Sequence, residues 1–169
     1  MSARDAILQR LRNKPHNAGA TINAGTIPAR PITRLAVDEF VVQAEISGAQ
    51  IVRCTTEAEL ESRKTQYRTE NATVVDAALA IAETGSVALR SIDTASGNCY
   101  LCDHLVVCVA ENTIVQYLHN GLTELKTSAS RAVQLMTGPS RTADVEQTIQ
   151  IGAHGPRQLT LIIHSHNKP

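Results

Sequence analysis

The sequence predicts a single layered α/β domain with a mixed, mostly parallel sheet, and three observations predict it. Hydrophobic residues make up 43% of the chain and aromatics 2%, with no Trp and one Phe. Such a core is built from Ala, Val, Ile and Leu, which suits strands buried on both faces under closely packed helices. The later half alternates apolar strand-like runs with helix-like stretches, as layered α/β domains do. Finally, 169 residues are enough to bury one core without disulfides or metals.

The elements follow in order. Residues 3–14 place Ile7, Leu8 and Leu11 on one narrow stripe among Arg4, Arg10, Arg12 and Lys14, the period of an amphipathic helix. Residues 15–33 contain Pro15, Gly19, Gly25, Pro28 and Pro31 and no sustained period. They read as a flexible connector, so 1–33 form an arm and 34–166 the domain. "LAVDEFVVQAEISGA" is a helix with Val37, Phe40, Val41 and Ala44 inward and Gly48 at its end. "QIVRCT" is a strand. "TEAELESRKTQYR" is a helix with Thr56 as N-cap and Glu59 completing a capping box.

"ATVVDAALAIAETGSVALRS" reads as two strands folded back at Glu83, Thr84, Gly85 and Ser86, with a helical turn over 77–82 as the alternative. "HLVVCVA" is a buried strand. "ENTIVQYLHNGL" has Ile114, Tyr117 and Leu118 at helical spacing, with Gly121 as a stop. "RAVQLM" is a strand, "TGPSRTADVEQTIQIG" a loop and a short helix over 141–150, and "LTLIIH" the closing strand.

Sixteen basic and sixteen acidic residues cancel, which removes the electrostatic attraction that non-specific nucleic-acid binding needs. The chain has no apolar run of about 18 residues, and its charged N-terminus lacks the apolar stretch of a signal peptide. A cytoplasmic protein without membrane insertion is expected. Its four cysteines are expected to be free thiols.

The stretch 137–156, "TGPSRTADVEQTIQIGAHGP", concentrates candidate chemistry. Gly138 and Pro139 turn the chain after a strand, and Ser140 or Thr142 is placed to cap the helix that follows. Free N–H groups at that helix start, with Arg141 as a bidentate partner, would hold a carboxylate or phosphate beyond the carboxyl ends of the strands. Asp144 and Glu146 would favour the helix dipole. The alternative is a capped turn in which Arg141 pairs with Asp144 or Glu146. In "GAHGP", His154 either meets a ligand and exchanges protons or bonds its own loop. "CYLCDH" pairs Cys99 and Cys102 near His104, one ligand short of the usual structural zinc set, so no metal is expected.

"AIAETGSVAL", "HLVVCVAENTIV" and above all "TGPSRTADVEQTIQIGAHGPRQLTLIIH" resemble the LUD-domain family, in its lactate utilization protein C group. The likeness runs over about residues 35–164. It implies the fold shared by ribose-5-phosphate isomerase, glucosamine-6-phosphate deaminase and CoA transferases. It also implies a role in oxidising L-lactate to pyruvate beside iron–sulfur partner proteins that carry the cluster cysteines. The matching positions are Glu83, Thr84, Gly85, Ser86, His104, 138–146, Gly152, His154, Gly155 and Pro156. Typical members have a longer stretch between the 50–55 strand and the 73–90 hairpin, and the resemblance gives Cys99 and Cys102 no role.

Two functions follow as expectations. In the first, the chain is an accessory or ligand-binding subunit without redox chemistry, since it has no Gly-rich dinucleotide fingerprint after a strand and no cluster-ligand cysteine run. No cofactor of its own is then expected. In the second it is an autonomous enzyme on a sugar phosphate, acyl-CoA or similar anion. Glu83 would be base or nucleophile, Arg141 with the 138–142 amides the anion clamp, and His154 the proton carrier.

Overall fold

Two four-stranded sheets lie at the centre of the domain in a computed structural model that describes residues 4, 9, 34–94, 96–126, 130–143, 149–151 and 155–165. The first sheet is parallel throughout, in the order β1-β10-β5-β2: β1 is Gln50–Cys54, β2 Thr73–Asp76, β5 His104–Ala110 and β10 Gln158–His164. The second, mixed sheet runs β6-β3-β4-β7, with β3 Leu79–Ile81, β4 Ser86–Arg90, β6 Ile114–Val115 and β7 Val133–Met136. Here β3–β4 and β4–β7 are antiparallel and β3–β6 is parallel. The layered α/β domain expected from the sequence is present, with its parallel and antiparallel pairing divided between two sheets.

The alternation of side chains along each strand sorts the core into layers. Leu105, Val107, Leu161 and Ile163 of the parallel sheet join Ala80, Val87, Leu89 and Met136 of the mixed sheet in one cluster, so the two sheets face each other. Helix α1, Arg34–Ile46, closes that cluster with Phe40 and Ala44, both fully buried. The other face of the parallel sheet, with Val106, Cys108 and Ile162, is covered by Leu60 and Tyr67 of α2, Glu57–Thr69. The far face of the mixed sheet, with Leu79, Ile81 and Ala88, is covered by Leu118 and Leu125 of α4, Leu118–Lys126. A short helix, α3, spans Ser96–Tyr100. Among the described residues no helix is long and apolar enough to cross a membrane.

Local sequence signals account for several boundaries. Thr56 caps α2, its hydroxyl accepting from Glu59 N at 3.2 Å. The Glu59 carboxylate reaches back to Thr55 N at 3.1 Å, one residue before the cap. The hairpin turns at 82–85, as the Gly85 signal implies, between β3 and β4. The strand expected before it is two strands, because the chain leaves the parallel sheet after Asp76 and enters the mixed sheet at Leu79.

Two expectations are corrected. The helix over 111–122 begins only at Leu118: Ile114 lies in β6, and Gly121 sits within the helix. Gly121 is there for clearance, since a Cβ on it would lie 3.1 Å from Leu79 Cδ1 and 3.3 Å from Val115 Cγ2. The short helix over 141–150 is instead a hairpin, β8 Arg141–Ala143 with β9 Ile149–Ile151, pairing Arg141 with Ile151 and Thr142 with Gln150. Ile149 and Ile151 alternate with Gln150, the period of a strand, and their branched side chains favour it. Asp144, Glu146 and His154 lie outside the described residues, as does the arm apart from Arg4 and Gln9, both helical and exposed.

Candidate ligand-binding site

The turn that opens β4 is fixed by a backbone contact. Gly85 has φ +64, and a Cβ on it would lie 2.3 Å from Ala44 N and 2.5 Å from Gln43 C. Only glycine combines that left-handed backbone with so close an approach of α1. Seated this way, Ser86 is 4% exposed and its hydroxyl lies 2.8 Å from Thr84 Oγ1 and 2.5 Å from Thr137 Oγ1. Three hydroxyls thus tie the hairpin turn to the start of the 137–140 loop. That loop then passes the end of α1: Gly138 has φ +75, and a Cβ there would meet Ser47 O at 2.2 Å.

Beyond Gly138 the loop meets the segment leading into β10. Ser140 N donates to Pro156 O at 2.9 Å, Gly155 N to Tyr100 O at 2.9 Å, and Gln158 N to Asp103 O at 3.0 Å. Arg157 Nε lies 3.5 Å from Asp103 Oδ1. Between these segments opens a cleft of about 290 Å³ lined by Gly48, Gln50, Pro139, Ser140, Arg157, Gln158 and Leu159. Gln50 and Gln158 are the first residues of β1 and β10, so the cleft lies at the amino ends of the parallel strands. This corrects the expectation that the loop falls beyond their carboxyl ends. The loop follows the carboxyl end of β7, but β7 belongs to the mixed sheet and delivers it to the opposite edge of the parallel one.

His104, the first residue of β5, is linked to the cleft through Thr160. Its Nε2 is 2.9 Å from Thr160 Oγ1, which donates in turn to Gln50 Oε1 at 3.5 Å. Which of His104 and Thr160 donates follows the imidazole tautomer. Thr160 is fully buried, and the Tyr67 ring meets His104 edge-on at 5.5 Å. Burial pulls the imidazole below its ordinary pKa, opposed by the Glu70 carboxylate.

Glu83 is placed differently. Its Oε1 accepts from Leu118 N at 2.7 Å, at the first turn of α4, and its own N donates to Gln116 O at 3.1 Å. The carboxylate thus satisfies one of the amides a helix start leaves open. The structure therefore brings Pro139 and Ser140 to the cleft, packs Gly155 against Ser140, where a Cβ would lie 2.7 Å from Ser140 Cβ, and joins His104 to the cleft through Thr160. Thr84, Gly85, Ser86 and Gly138 buttress the loop that forms one wall. Arg141 and Thr142 continue from Ser140 into β8. Sequence reasoning missed Gln50, Arg157, Gln158 and Thr160. Arg157 had a signal, a cation directly after the Gly155-Pro156 turn, whereas the others depend on strand register.

The LUD domain family model matches residues 41–164. An uncharacterized protein of Neisseria meningitidis serogroup B is 29% identical over 127 residues, covering 72% of this chain and 54% of that protein. Lactate utilization protein C of Deinococcus radiodurans is 31% identical over 97 residues, 55% of this chain and 46% of that protein. The protein of the same name from Bacillus pumilus is 30% identical over 91 residues, 49% and 38% respectively. The aligned part is thus about half the length of these relatives, or less. The crystal structure of a DUF162 family protein from Deinococcus radiodurans superposes with a TM-score of 0.64 at 19% identity, covering 79% of this chain and 99% of that one, which shows a shared fold. With the family model covering most of the domain, the chain belongs to the LUD-domain family.

Proposed function

We propose that this chain is a ligand-binding subunit in lactate utilization that carries out no redox step on lactate itself and acts in the cytoplasm with iron–sulfur partner proteins. The observation that carries the reading is the cleft of about 290 Å³ at 139–140 and 157–159, lined by one cationic residue, Arg157, one hydroxyl residue, Ser140, and two amide residues, Gln50 and Gln158. Arg157 suits a carboxylate, for which its planar fork offers two parallel N–H donors. Ser140, Gln50 and Gln158 suit the adjoining hydroxyl or keto oxygen, and Pro139 and Leu159 a methyl group. His104, acting through Thr160 and Gln50, would hold the amide of Gln50 in one orientation. Arg141, directly after Ser140, is the second cation proposed for the same anion.

The lactate context comes from relatives named lactate utilization protein C. Two electrons leaving lactate need a carrier, and the cysteines of this chain are not spaced as a cluster-binding run. The autonomous-enzyme alternative leans on Glu83, whose carboxylate is engaged with the first amide of α4. The test is turnover of L-lactate with an artificial electron acceptor, by the purified chain alone and with the iron–sulfur proteins. The expected result is no turnover alone and a rate with the partners that depends on this chain. Turnover by the chain alone would overturn the reading.

A further inference from the structure

We propose that Cys99 and Cys102 form a thiol–disulfide exchange site whose closure is transmitted to the wall of the cleft. The pair straddles the end of α3, where Leu101 N donates to Gly97 O at 3.0 Å. Cys99 lies in the last turn of α3 and Cys102 two residues past its end, a separation that one helical turn would bring to about 5–6 Å between Cα atoms, within the range a disulfide spans. Cys102 Sγ is turned back toward its neighbour, donating to Cys99 O at 3.5 Å. Cys99 is 1% exposed and Cys102 half-buried, so Cys102 is the sulfur an outside reagent meets and Cys99 the one that resolves. Burial pushes both thiols up; at Cys102 a hydrogen bond with Thr73 opposes this and the Asp103 carboxylate adds to it, while Cys102 adds to the effect on Cys99. Exchange should therefore quicken as pH rises.

The same segment holds the cleft. Tyr100 O accepts from Gly155 N, Asp103 O from Gln158 N, and the Asp103 carboxylate faces Arg157. Any change of backbone between 99 and 103 reaches the 155–158 wall through these three contacts.

The oxidant is a low-molecular-weight disulfide such as glutathione disulfide. The Cys102 thiolate attacks one of its sulfurs and expels a thiolate; the Cys99 thiolate then attacks Cys102 Sγ and expels the second. Two electrons pass from the protein to the small disulfide, which leaves as two thiols carrying the two protein protons.

The test equilibrates the full chain in glutathione buffers from reducing to oxidising, traps free thiols by alkylation for peptide mass spectrometry, and follows hydrogen exchange at the Gly155 and Gln158 amides. The expected result is a Cys99–Cys102 disulfide that reduced glutathione reverses, with exchange at the two amides altered about tenfold or more between the two states. Cys102→Ser and Cys99→Ala should each abolish both changes, and two variants guard against one failing to fold. Overturning results are a dithiol that persists in oxidised buffer, a mixed disulfide that never resolves, or a disulfide that leaves both amides unchanged.

Discussion

Gly85→Ala is the substitution whose cost can be worked most directly from the structure. A Cβ at this position falls 2.3 Å from Ala44 N and 2.7 Å from Ala44 Cα, both backbone atoms of α1 that cannot swing aside as a side-chain tip can. The backbone angle φ +64 adds the left-handed penalty of an L-residue, about 1–2 kcal/mol. Displacing α1 from a close-packed contact adds about 1–3 kcal/mol. Together these give a loss of about 2–5 kcal/mol, or a fall in Tm of roughly 5–15 °C for a chain of this size. Urea and thermal unfolding of the two proteins measure it. Gly97→Ala is the control: nothing lies within 4 Å of its Cβ position, and it sits in α3. That change should be neutral or stabilising by about 0.5 kcal/mol. A Gly85→Ala protein within about 1 kcal/mol of the parent would refute the packing argument, and if it had lost ligand binding it would return Gly85 to a direct binding role.

Ser86→Ala leaves the hydroxyls of Thr84 and Thr137 without their shared partner and should cost about 1–2 kcal/mol in urea unfolding; an unchanged midpoint would contradict the hydroxyl tie. His104 sets a pH dependence. Because burial holds its folded pKa below the ordinary 6.5, the unfolded chain takes up this proton first as pH falls. Stability attributable to it is therefore complete above about pH 6.5 and declines as pH drops from there toward the folded value. His104→Gln should flatten that decline in a series of denaturation curves between pH 7.5 and 5, and identical curves would count against it.

The layers were legible in the sequence because each core strand carries its own pattern. "HLVVCVA" is β5, "LTLIIH" makes up all but the first residue of β10, and helical spacing alone turns Phe40 and Ala44 inward, where both are buried. Where two patterns compete the sequence misled. Thr142, Asp144 and Glu146 suit a helix start, but the branched Ile149 and Ile151 pair across to Ala143 and Arg141. Gly121 reads as a stop until α4 is seen to need clearance over Leu79. The cleft was only partly legible. Pro139, Ser140 and Gly155 lie in a motif readable along the chain, whereas Gln50, Gln158 and Thr160 join it through parallel pairing of β1, β10 and β5, whose register no local signal encodes.

Titration calorimetry decides whether the cleft binds a small carboxylate. The full chain would be titrated with L-lactate, pyruvate and inorganic phosphate, alongside Arg157→Ala, Arg157→Lys and Arg141→Ala. The carboxylates should bind, and Arg157→Ala should weaken their binding by about 1–2 kcal/mol, the worth of a charged hydrogen bond from a largely exposed guanidinium. Arg157→Lys should recover part of that, because an ammonium lacks the planar fork. Arg141→Ala should weaken the same anion. Undiminished affinity in Arg157→Ala, or heat from none of the three anions, would contradict carboxylate binding in the cleft.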